Sequence, residues 1–137
     1  MNSQQGFTMI ELIVVVVIIT ILAAIGIQNY SDMQNRTREA AVKSNGHTCQ
    51  MAVESFAAIH GGFYPAAATA MADISQNLPG GDPPANPFNG NPGLSIGAGP
   101  AEGMCDYLDP AAVGEPNAYR IDCYGTEAVA ILSLSNG

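Results

Sequence analysis

At 137 residues, with 47% hydrophobic and 12% charged side chains, the chain is long enough for one domain with a modest core and little more. Four basic residues against twelve acidic ones give a net charge of −8. Residues 61–137 hold eight acids against Arg120 alone, a net of −7, which excludes a surface built to grip a phosphate backbone; no nucleic-acid partner is expected.

The first predicted element is residues 7–27, FTMIELIVVVVIITILAAIGI. As a helix this run extends about 31 Å, close to one hydrocarbon core. Its Val and Ile content leans towards strand in water, but lipid forces internal hydrogen bonding and therefore a helix. The length and the near absence of a polar face argue against a buried core helix. A removable signal peptide wants a basic start and a shorter apolar stretch, whereas MNSQQG has neither Lys nor Arg and Glu11 interrupts the run. A retained membrane anchor is the reading left. An unpaired carboxylate at mid-span costs about 2.5–3.5 kcal/mol on insertion scales, so an acid in such a segment carries a function by default.

The order Gly6-Phe7-Thr8-Met9-Ile10-Glu11-Leu12, followed by that long apolar run, resembles the prepilin peptidase motif of type IV pilins and type II secretion pseudopilins. The resemblance implies a leader over residues 1–6, peptidase cleavage between Gly6 and Phe7, and N-methylation of Phe7. It implies a transmembrane and polymerisation helix over 7–27, with assembly through Phe7 and Glu11. The new cationic amine on Phe7 of one subunit would meet the Glu11 carboxylate of the next, a pairing favoured in a low-dielectric core. It would also set axial register, as a buried polar residue does in a coiled coil. Other copies of the chain, a prepilin peptidase and the pilus or secretion assembly machinery are the implied partners, with the inner membrane holding the precursor.

Residues 28–60 continue as an amphipathic helix without proline. Asp32 and Arg36, and Glu39 and Lys43, are spaced for i,i+4 pairs. Cys49, Ala52, Val53, Phe56, Ile59 and His60 recur at three- and four-residue spacing and predict the stripe that meets a globular head. Cys49 reads as a buried thiol, with a disulfide as the alternative.

Residues 61–137 are expected to form that head. A stop is expected at Gly61-Gly62, a short helix over 66–78, and a Pro- and Gly-rich loop over 79–100 with a strand near 94–96. Asn86-Pro87-Phe88 resembles a turn of the same family, though a plain surface connector describes it as well. A hairpin is predicted from strands 118–124 and 128–134 around Gly125-Thr126-Glu127. The fold class is therefore α+β and pilin-like, a long N-terminal helix packed on a small antiparallel sheet. In an exported head, Cys105 and Cys123 fit a disulfide, which the resemblance places around an exposed loop over 106–122. In the loop-entropy model such a link contributes about 3 kcal/mol.

Glu102, Asp106, Asp109 and Asp122 offer the oxygen ligands calcium uses, but their spacing matches no known loop; solvated surface charge is the plainer reading, and no cofactor is expected. No catalytic triad order, phosphate loop or zinc set is present in the sequence. A structural filament subunit for adhesion or motility is the leading expectation. A type II secretion pseudopilin is the alternative, and a membrane-anchored enzyme or binding domain is the alternative of another class.

Overall fold

The computed structural model describes residues 6–115 and 117–136; residues 1–5 of the expected leader lie outside them. The chain divides into two units, Met1–Asn35 and Arg36–Gly137, each described by itself. Helix α1, Met9–Ile59, contributes to both.

In the first unit α1 stands without a packing partner among the described residues. Its apolar side chains from Phe7 to Ile27 are exposed throughout. Thr20, the one hydroxyl in the run beyond Glu11, turns its Oγ1 back to the Val16 carbonyl at 2.8 Å, which leaves the outer surface there apolar.

In the second unit residues 36–59 of α1 lie against a four-stranded sheet. Strands β1 (Leu94–Ile96), β2 (Cys105–Leu108), β3 (Arg120–Tyr124) and β4 (Ala130–Ser135) are neighbours in that order. The antiparallel sheet expected from the hairpin is present as β2–β3–β4. Strand β1 differs: it joins β2 in parallel, pairing Leu94 with Cys105 and Ile96 with Tyr107. The predicted loop over 106–122 is thus half structured, since it contains most of β2 and the short helix α3, Pro110–Val113. The short helix expected over 66–78 is α2, Ala70–Asn77.

The core face of the sheet presents Leu94, Cys105, Tyr107, Ile121 and Cys123 to Val42, Cys49, Ala52 and Val53 of α1, with Ile74 and Leu78 closing one side. Cys49, Ala52 and Val53 are buried as their spacing predicts, but Ile59 is 72% exposed and His60 is exposed too. The chain reverses at Gly61 and Gly62, both at positive φ, so Tyr64 and Pro65 close this end of the core in place of the last helical turn. Tyr107 donates its hydroxyl to the Pro65 carbonyl at 2.8 Å, and Tyr64 and Tyr119 pack ring to ring at 4.7 Å. Glu39, expected to pair with Lys43, instead accepts the Thr126 N–H at 3.3 Å and ties α1 to the β3–β4 turn.

Cys105 and Cys123 sit directly opposite each other on β2 and β3 and are joined as a disulfide. Helix α1 crosses the bridge at Gly46, where a Cβ would come within 2.6 Å of Cys123 Sγ. Close approach, rather than helix weakness, accounts for that glycine. Cys49 remains a buried free thiol.

Burial pushes the Cys49 thiol up to about 11 from an ordinary 9. The phenols of Tyr107 and Tyr119 are also held well above their ordinary 10, by burial first and then by Asp109 for Tyr107 and the Glu54 hydrogen bond for Tyr119. Each group keeps its proton longer folded than unfolded, so its stabilisation is complete below its unfolded pKa and is lost as pH rises through the folded one. Urea midpoints of the full chain in detergent should therefore hold steady up to about pH 9 and fall from there through about pH 11. The tyrosinate absorbance of Tyr107 and Tyr119 should appear together with unfolding, not before it.

Candidate assembly site

Thr8 precedes the first helical residue, and its position three before Glu11 makes a reciprocal cap. The Thr8 N–H donates to Glu11 Oε2 at 2.9 Å, and the Glu11 N–H returns a bond to Thr8 Oγ1 at 3.3 Å. The Thr8 hydroxyl also donates to Glu11 Oε2, at 2.8 Å. This is a capping box, in which the carboxylate satisfies an N–H that the helix start would otherwise leave bare, at the end where the helix dipole favours negative charge. Glu11 is therefore not the bare charge that its place in the apolar run suggests. The T-x-x-E spacing of Thr8 and Glu11 is the sequence signal for this cap. Both Thr8 bonds to the carboxylate fall on Oε2, and Oε1 carries no hydrogen bond among the described residues.

Gly6 and Phe7 precede the helix, with Gly6 exposed and Phe7 89% exposed. Around the cap, Phe7, Ile10, Val14 and Val15 form a shallow apolar surface. A carboxylate with one committed oxygen thus stands at the rim of an uncovered greasy stripe.

A match to a known family model falls on this segment. Residues 1–27 match the family model of the prokaryotic N-terminal methylation motif. By this segment the chain is similar to type IV pilins. A fimbrial protein of Pseudomonas aeruginosa is 47% identical over 55 residues, 40% of this chain and 36% of that protein. The type IV major pilin protein PilA of Myxococcus xanthus is 46% identical over 53 residues, 39% of this chain and 24% of its own. Prepilin peptidase-dependent protein D of Escherichia coli is 49% identical over 65 residues, 45% of this chain and 42% of its own. The chain thus spans less than half the length of each of these curated relatives. No solved structure matches. Among the described residues α1 is long and apolar enough to cross a membrane, which agrees with a pilin-type anchor.

The acids named as candidate calcium ligands in the pilin-like head have other work. Asp106, only 1% exposed, takes the Ser95 hydroxyl at 2.7 Å and the Ala98 and Gly99 N–H groups at 3.0 and 2.9 Å. Asp109, 8% exposed, caps α3 through the Ala112 N–H at 3.1 Å and holds the Ala67 N–H at 3.2 Å. Asp122 takes Arg120 Nε at 2.9 Å and the Ser133 hydroxyl at 2.7 Å, while Glu102 takes the Glu127 N–H at 3.3 Å. Plain surface charge does not describe Asp106 and Asp109, which are internal acceptors. Among the described residues no group of three or more His, Cys, Asp or Glu is placed to hold a metal. Asn86 is buried as well: its Nδ2 donates to the Glu102 carbonyl and its Oδ1 accepts the Phe88 N–H, both at 2.8 Å. The Asn-Pro-Phe turn is therefore pinned into the head, against Gly103, where any Cβ would strike Asn86 and Phe88.

Proposed function

We propose that the chain is the subunit of a type IV pilus-like filament, inserted in the inner membrane as a precursor and drawn out of it on assembly. The observation that carries this reading is the match of residues 1–27 to the methylation motif, on a helix whose apolar surface is uncovered. A prepilin peptidase cuts between Gly6 and Phe7, and Phe7 is methylated on its new amine. That amine then approaches Glu11 of a neighbouring subunit, where Oε1 is open and Oε2 is already held by Thr8. Buried between packed helices, the pair is far better than two separate charges. The acidic head forms the outer surface and serves adhesion or motility, a reading supported by relatives named as fimbrial proteins and pilins.

The test is mass spectrometry of the surface filaments. Chains should begin at methylated Phe7, and Gly6→Asp should leave the precursor with MNSQQG still attached and no filaments. Filaments that retain Met1, or chains found only as monomers, overturn the proposal. Short filaments that form only with a secretion apparatus would move the chain to the pseudopilin role.

A further inference from the structure

Two Asn-Gly pairs lie wholly within the described residues, and the fold treats them oppositely. Asn45-Gly46 is inside α1, with Gly46 buried against the disulfide and Asn45 Nδ2 donating to the Ala85 carbonyl at 2.9 Å. Asn89-Gly90 is exposed in the turn after Phe88; Gly90 has φ +76°, and nothing would meet a Cβ built there. The Asn91 N–H donates to Asn89 Oδ1 at 2.9 Å. The ring closed by that bond contains both Asn89 Cγ and the Gly90 nitrogen, and so keeps the side-chain carbonyl folded over the next peptide. The same N–H is aimed at the oxygen that would carry negative charge if the Gly90 nitrogen attacked Cγ, the placement an oxyanion donor needs.

We infer that Asn89 is a site of spontaneous modification, the deamidation of its side chain through a cyclic imide with Gly90. The Gly90 amide nitrogen gives up its proton to solvent base and bonds to Asn89 Cγ. The Cγ–Nδ2 bond breaks, and Nδ2 leaves as ammonia with a proton taken from water. Water then opens the imide at the side-chain carbonyl to give aspartate, or at the main-chain carbonyl to give isoaspartate, whose backbone runs through the former side chain. The net change is amide plus water to carboxylate plus ammonium, with no oxidant or reductant. Glycine favours the step because no side chain shields its nitrogen and its backbone can take up the ring. The hydrogen bond from Gly90 N to the Asn86 carbonyl, 2.8 Å, is the restraint, and opening of the turn sets the pace.

The consequence is local and electrostatic. One further negative charge joins an already acidic surface, beside Phe88, whose ring lies under the Arg38 guanidinium at 5.6 Å. The isoaspartate form lengthens the turn that Asn86 pins. In a long-lived polymer, the modified fraction would record subunit age, and this corollary alone rests on the filament reading.

The test begins with the unsubstituted protein. The purified full chain in detergent is held in mildly alkaline buffer at body temperature, and peptides are mapped over time by mass spectrometry with isoaspartate labelling. Asn89 should convert at least about tenfold faster than Asn45. In urea, where both sites are merely Asn-Gly in an open chain, the ratio should fall towards one. Asn89→Gln should abolish the modification at that turn. Equal rates in the folded protein, or an intact Asn89 while Asn45 converts, overturns the inference; either result leaves the filament reading untouched.

Discussion

Cells whose only copy carries Glu11→Ala should insert the chain into the membrane normally yet yield at least about tenfold fewer filaments. In the proposed assembly the substitution leaves the Phe7 amine of a neighbour buried without a counter-charge, and breaking such a pair is far costlier than never having built it. Thr8→Ala should cause a smaller loss, because the cap falls but the carboxylate survives. If Thr8 and Glu11 act as one unit, the double variant should be no worse than Glu11→Ala alone. Filament counts by electron microscopy, beside membrane fractionation of the same cells, separate the cases. Normal filament numbers from Glu11→Ala would sink the pairing argument.

Asp106→Ala should destabilise the head by about 3 kcal/mol, read as a lowered urea midpoint for the full chain in detergent. Asp106 is buried on the outer face of the sheet, in a cross-strand row that runs Ser95, Asp106, Asp122, Ser133. Two carboxylates directly opposite each other should repel. Each is instead loaded with its own donors: Ser95, Ala98 and Gly99 on Asp106, Arg120 and Ser133 on Asp122. Truncating Asp106 relieves the repulsion but strands two backbone N–H groups of the segment that follows β1. Asp106→Asn should cost less, since one carbonyl oxygen remains. A loss below about 1 kcal/mol for the Ala variant would mean that water replaces the carboxylate freely.

The elements legible in the sequence are those with a strong local signature. The apolar run, the strand at Leu94–Ile96 and the hairpin around Gly125 all rest on period, length or turn residues in one window. Strand β2 was hidden because Cys-Asp-Tyr-Leu carries an acid that in a short strand reads as loop, and its parallel partner is not its neighbour in a hairpin. The burial of Asp106 and Asp109 was equally out of reach, for it depends on N–H groups of Ala98, Gly99 and Ala67 brought in by tertiary folding. Ile59 and His60 keep the helical spacing of the stripe but lie beyond the point where Tyr64 takes over the core. In the assembly segment, Gly6, Phe7 and Glu11 were legible as an ordered motif, while the part of Thr8 needed only the cap rule applied to the same residues.

The glycine under which Cys105 and Cys123 are joined has a consequence for exposure to thiols. Both sulfurs are fully enclosed, and α1 lies over them with no room for even a methyl group. A small reductant can reach the bond only while the helix is lifted from the sheet. The speed at which glutathione or dithiothreitol cleaves it therefore gauges how often the head breathes, a clock that can be read in native buffer without any denaturant.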